Sequence, residues 1–224
     1  MRSVATLACA LLAALSVAGC AGDGSGGLPD AQLMIRNAAA ATKDVRSAHI
    51  LLTADGDGLA VESVDADVTR KPPAAHGIAV RKPGGQRVEF AESDGMLFVV
   101  GPSGKYLPAP PQIAATVPSP ARMLDPERGL GHTLSQIRDA TTQGKEDVAG
   151  VEAFKIVGTV PEDVLAELIP TAGSDATFTV WLRVRAPHAP LRTNLTFTGR
   201  DGKSATLAVQ VTNVNKPISI TAPA

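Results

Sequence analysis

The chain has 224 residues, with 21 Lys and Arg against 22 Asp and Glu and a formal net charge of −1. That length suffices for one good core. A near-neutral chain without a run of Lys or Arg argues against nucleic acid as a partner and against a polybasic membrane footprint. Apolar residues make up 44% and aromatic residues only 3%, so the interior is mostly Ala, Val, Leu and Ile. Such an interior can pack tightly or leave a cavity, and composition does not separate the two.

The N-terminus reads as a secretory signal. Arg2 precedes an apolar run from Val4 to Leu15, and small residues follow in Val17-Ala18-Gly19-Cys20. A transmembrane helix needs about 20 apolar residues, and this run is shorter. The last four residues resemble the bacterial lipobox. That resemblance implies a signal peptide over 1–19, acylation of the Cys20 thiol with diacylglycerol, and cleavage before Cys20. Cys9 would leave with the leader, so the mature chain would hold no free thiol for a disulfide, a metal or catalysis. Residues 20–29 are rich in Gly and read as a flexible tether carrying the lipidated Cys20.

Residues 30–224 are expected to form one domain. Asp30 suits the N-cap of a helix reaching to about Val45, with Met34, Ala38, Ala41 and Val45 in one stripe. Strand patterns then dominate. His49–Ala54 ends in Asp55-Gly56-Asp57-Gly58. In Glu62–Val68 the apolar Val64, Ala66 and Val68 alternate with Asp65 and Asp67, as in a half-buried antiparallel strand. Ile78 and Val80 share a face in the next run, and Val88 and Phe90 alternate with Arg87 and Glu89. Asp94-Gly95 predicts a hairpin into Met96–Val100, where Leu97 and Val99 share a face.

Pro108–Pro120 should be irregular. Pro120–Leu124 and Gly129–Ile137 read as helical, with Leu130, Leu134 and Ile137 on one side. Strands are expected near 141–146 and 153–159, then a short helix opened by Pro161, with Val164, Leu165, Leu168 and Ile169 on its apolar face. Three more alternating runs cover 177–183, 193–198 and 206–212. The sum is eight to ten antiparallel strands with short helical blocks, an α+β domain.

No enzyme is visible. His49, His76, His132 and His188 lie far apart without metal-ligand spacing. There is no Gly-x-Ser-x-Gly elbow and no phosphate loop. Asp55, Asp57, Asp65 and Asp67 lack the spacing of a calcium loop and read as a solvated edge. No cofactor or metal is expected.

Several segments together resemble the LppX/LprAFG family of mycobacterial lipoproteins, its LprF-like members most closely. They are the lipobox, Ala41-Thr42-Lys43 with Ser47-Ala48-His49, Glu62 to Thr69, Gly144 to Gly150 and Val180-Trp181-Leu182. The most specific is Leu124-Asp125-Pro126-Glu127-Arg128-Gly129-Leu130-Gly131. The resemblance implies a curved antiparallel half-barrel with short helices covering its concave face around an apolar cavity for acyl chains. In that cavity Ile78, Val80, Val88, Leu97 and Val99 would line the sheet, and Leu130, Leu134, Ile137, Leu165 and Leu168 would cover them. It also implies a lipid-anchored protein on the outer face of the cell membrane that carries an envelope lipid or glycolipid. A second reading stays open: a sensor of lipid or envelope state for a membrane partner, such as a transporter. The chain departs from the family at Pro118, where members often carry Tyr, and at Val214-Asn215, where they often carry Trp-Gly. A different cavity mouth and ligand are expected from these changes.

Overall fold

The computed structural model describes residues 27–114, 117–186 and 188–221. The expected leader, Cys20 and most of the tether lie outside them. One helix and eleven strands set the frame. Helix α1 spans Ala31–Thr42, and its N-cap is Asp30, whose Oδ1 accepts the Leu33 N–H at 2.6 Å. It buries Met34, Ile35, Ala38 and Ala39, and it ends three residues short of Val45.

The strands are β1 Ser47–Gly56, β2 Val61–Arg70, β3 Pro73–Arg81, β4 Gln86–Ser93, β5 Met96–Val100 and β6 Tyr106–Pro108 in the first half. The second half holds β7 Arg138–Val148, β8 Val151–Val160, β9 Ala176–Arg183, β10 Pro190–Thr198 and β11 Ser204–Thr212. All pair antiparallel in a single curved, unclosed sheet of order β6-β5-β4-β3-β2-β1-β11-β10-β9-β8-β7. Each half is a meander. The seam is β1 against β11, where Ile50 faces Val211 and Leu52 faces Val209, so the two ends of the domain zip it together. Tight turns follow from residues that tolerate left-handed backbone: Asp94-Gly95 joins β4 to β5, and Ala149-Gly150 joins β7 to β8.

Most of the short helical pieces sit between the meanders, and the last sits inside the second, between β8 and β9. Helix α2 is Pro111–Ala114, a 3₁₀ turn covers Ala121–Leu124, α3 is Leu130–Ser135 and α4 is Glu162–Leu168. The Pro108–Pro120 stretch is thus more ordered than expected, since it contains the short helix α2, and β6, which ends at Pro108, is not among the expected strands. Helix α1 packs on α3, and the 3₁₀ turn packs on β2 and β3. Between them and the sheet lies the core, including Ile35, Ile50, Leu52, Val68, Ile156, Leu165, Phe178, Leu182, Leu195 and Leu207. Burying side chains of this size contributes about 1.5–3 kcal/mol each against exposure.

Candidate functional site

Pairing registers decide which side chains reach the concave face, because directly paired residues point the same way. Val64 pairs Ala79, and Ala79 pairs Val88. Phe90 pairs Val99, and Glu92 pairs Leu97. Val88, Leu97 and Val99 therefore share the inner face with buried Val64 and Phe90. Ile78 pairs Asp65 and Glu89, and Val80 pairs Ser63 and Arg87. Both stand on the outer face. The expected grouping of Ile78 and Val80 with Val88 is corrected here. In Gly77-Ile78-Ala79-Val80 both faces are apolar or small, so the strand itself carries no sidedness, and its neighbours impose it.

Two apolar cavities open on the inner side. The larger, about 210 Å³, lies where the end of α1, the 3₁₀ turn and α3 meet β9, β10 and β11. Val45, Met123, Leu130 and Leu134 approach it from the helical side, and Phe178, Leu195, Val209 and Val211 from the sheet. The smaller, about 90 Å³, lies under the Pro-rich stretch. Val64, Ala79, Val88, Phe90, Leu97 and Val99 face Ile113, Val117, Pro118 and Pro120 there. The expected lining is thus divided: Leu130 and Leu134 border the first cavity, and Val88, Leu97 and Val99 the second. Ile137, Leu165 and Leu168 are buried in the packed core and border neither. Ile137 fills the space left by the missing side chain of Gly158, where a Cβ would come within 2.6 Å of its Cγ2. An apolar cavity of about 150 Å³ accepts a benzene, while ligand pockets run to roughly 300–1,000 Å³. As folded here, the larger cavity admits part of an acyl chain.

The Leu124–Gly131 segment builds the roof of that cavity. Asp125 Oδ1 accepts the N–H groups of Glu127 at 2.8 Å and Arg128 at 3.0 Å, and Oδ2 takes the Arg128 guanidinium at 3.3 Å. Partial burial pushes the Asp125 carboxyl up, but these donors and the Arg128 charge outweigh it and hold it below its ordinary value. Gly129 then caps α3, and Gly131 lets α3 approach α1, since a Cβ there would meet the Thr42 side chain. Side chains of α3 bond only locally: Thr133 to the Gly129 carbonyl, and Ser135 to the His132 carbonyl. The roof of the smaller cavity is fastened differently. Buried Glu92, on the inner face of β4, accepts the Ser119 hydroxyl and the Ala121 N–H. Sequence reasoning missed Glu92, because one acid on a half-polar strand carries no local signal of burial.

The outer face is polar. His49 lies 2.9 Å from Asp67 and 3.3 Å from Asp65. Tyr106 donates to Glu89 at 2.7 Å; burial and that carboxylate push the phenol up to about 12, while Tyr106 and His76 lower Glu89. Trp181 donates to Glu146 at 2.7 Å and lies under Lys155 and Arg192. Lys155 first, then Trp181, holds the Glu146 carboxyl below its ordinary value. Among the described residues no three His, Cys, Asp or Glu are grouped to hold a metal. No described helix is long and apolar enough to cross a membrane.

Residues 30–220 match the family model described as LppX_LprAFG lipoprotein. The chain belongs to that family. The lipoarabinomannan carrier protein LprG of Mycobacterium tuberculosis is 33% identical over 196 residues, covering 84% of this chain and 82% of LprG. The putative diacylated glycolipid transporter LprF of Mycobacterium bovis is 30% identical, covering all of this chain and 92% of LprF. The crystal structure of M. bovis LprF superposes with a TM-score of 0.72 at 26% identity, over 88% of this chain and 98% of LprF. Lipoprotein LppX of M. tuberculosis gives a TM-score of 0.66 at 23% identity, over 85% and 97%, which speaks to the fold alone. Val214 borders the larger cavity and Pro118 the smaller.

Proposed function

We propose that this protein is a non-enzymatic, membrane-anchored carrier of acyl chains of an envelope glycolipid or phospholipid. The observation that carries this reading is the apolar cavity between α1, α3 and β9–β11, in a chain 33% identical to a protein named a lipoarabinomannan carrier. Leaving a lipid's chains in water costs about 0.8 kcal/mol per CH₂. A groove of similar apolarity removes most of that cost without a reaction. The closed cavity is too small for two chains, so loading requires its roof to move. Helix α3 is the part suited to moving, because its side-chain hydrogen bonds are local and its grip on α1 and the core is apolar. Leu130 and Leu134 would line the path once it opens, while Val88, Leu97 and Val99 would hold chain in the second, clasped cavity.

The anchor belongs to the same proposal. Residues 1–19 act as leader, Cys20 takes the lipid, and 20–29 tether the domain at the outer face of the cell membrane. Cys20→Ala is expected to abolish partition into the detergent phase through the anchor; a variant that partitions like wild type would sink it. Carriage is tested by native mass spectrometry of the purified full chain. Copurified diacyl lipid is the expected result, and a chain that emerges empty and takes up none from vesicles counts against it.

A further inference from the structure

The larger cavity opens where α1 ends and the chain leaves β11. A knot of hydrogen bonds gathers distant segments there. Asn215 Oδ1 accepts the Arg46 N–H at 2.7 Å, and the Asn215 amide donates to the Asp44 carbonyl at 3.3 Å. The Asn215 N–H donates to the Ser47 carbonyl at 2.9 Å, and the Ser47 hydroxyl donates to the Lys216 carbonyl at 2.6 Å. The Arg70 N–H donates to the Arg46 carbonyl at 2.9 Å, and its guanidinium donates to the Lys43 carbonyl. Lys43, Arg46, Arg70 and Lys216 are thereby held on one small area, and Lys71 follows Arg70 directly in the chain. All but Arg70 are exposed.

None of these five cations has a carboxylate within 4.0 Å among the described residues; Arg87, Lys105 and Arg183 elsewhere are likewise unpaired, so the knot differs from them in gathering several such cations together. The knot contains one acid, Asp44, also exposed and unpaired. Val214 lies in the same segment, 47% exposed, and with Lys43 and Asn215 it borders the cavity. Of the five cations only Lys43 borders the cavity itself, with the others beside it on the knot, and Asp125, an acid that also borders the cavity, is paired with Arg128. The rim on the side of the knot is therefore cationic, with an exposed apolar residue beside it.

Building on the carrier reading, we propose that this rim seats the domain mouth-down on an anionic bilayer, with the cations on headgroup phosphates and Val214 at the acyl boundary. A soluble anion would satisfy the charges but leave Val214 and the apolar opening in water. A bilayer covers both. The tether permits it. The Thr142 hydroxyl donates to the Pro29 carbonyl at 2.8 Å, which fixes the start of α1 on β7. At 1.5 Å per residue, α1 then separates that point from the mouth by roughly 18 Å. Residues 20–29 can extend to roughly 33–36 Å, enough for lipid anchor and mouth to meet one membrane.

The test uses the full chain with Cys20→Ser, so that no acyl anchor binds for it. It is cosedimented with vesicles of phosphatidylcholine alone or mixed with phosphatidylglycerol. The expected result is a preference for the anionic vesicles that falls as salt rises. Lys43→Gln, Arg46→Gln and Lys216→Gln combined should weaken anionic binding on the order of a hundredfold, at about fivefold per cation near the surface. Arg87→Gln, Arg183→Gln and Lys105→Gln combined change the net charge equally at exposed sites elsewhere and should keep the preference. Equal binding to both vesicles, salt-independent binding, or equal losses in both triple variants would overturn the proposal. Copurified lipid is measured separately: an empty chain that still prefers anionic vesicles sinks carriage and leaves the docking face standing.

Discussion

The two ends of the concave face are roofed by different forces. Under the Pro-rich stretch, the small cavity is closed by a polar clasp, Glu92 holding Ser119 and Ala121. Under α1 and α3, the larger cavity is closed by apolar contact, and the polar groups of α3 spend their hydrogen bonds on α3 itself. Bordering neither cavity, Leu165 and Leu168 of α4 are buried in close-packed core. Apolar contact is non-directional and can be re-made with a lipid chain, whereas a buried carboxylate must keep its donors. The comparison assigns the opening to one end and rigidity to the rest.

The sharpest way to break that comparison is in the packed core. Leu165→Ala should cost about 2–5 kcal/mol in denaturant unfolding, as expected of tight core. A loss well below 1 kcal/mol would mean that this region too is loosely filled. At the clasped end, Glu92→Ala should cost about 1–3 kcal/mol by leaving the Ala121 N–H without its acceptor. It should also raise hydrogen exchange at Ser119–Leu124 while sparing α3. Exchange rising equally in α3 would show that the roofs move together.

Acid should loosen the α3 end through Asp125. Its carboxyl is held below the ordinary value of 3.8, so the folded state favours the charged form. The resulting stability is present above about 3.8 and is lost as pH falls through the lower folded value. Asp125→Asn, measured by urea midpoint against pH, should flatten that acid loss and cost about 1 kcal/mol at neutral pH. An unchanged acid limb would show that other carboxyls carry it.

The smallest effect on stability is expected from a matched pair. Val211→Trp enters the larger cavity and should change stability by under about 1.5 kcal/mol while reducing copurified lipid. Val80→Trp, on the outer face, should stay within about 0.5 kcal/mol and keep the full lipid load. Lipid lost from Val80→Trp, or kept in Val211→Trp, would reverse the assignment of faces.

Much of this architecture is written locally. The Asp30 cap, the Asp94-Gly95 and Ala149-Gly150 turns, and the alternation of Val64, Ala66 and Val68 with Asp65 and Asp67 each fix their element by short-range geometry. The roof segment from Leu124 to Gly131 also stood out, although its work in bringing α3 against α1 shows only in three dimensions. Nothing local reveals Glu92 as a clasp, since its partners lie 27 and 29 residues on.

By itself the sequence determined most of the strands and turns though not β6, the α+β class and the resemblance to a lipoprotein family, because periods, caps and motifs act over a few residues. Only the tertiary structure decided the β1–β11 seam, the faces of Ile78 and Val80, the division into two cavities and the gathering of Lys43, Arg46, Arg70 and Lys216 beside the larger one. Each of these depends on contacts between distant segments. A strand with apolar residues on both faces, or a cation without a charged neighbour in sequence, takes its meaning from whatever the fold sets beside it.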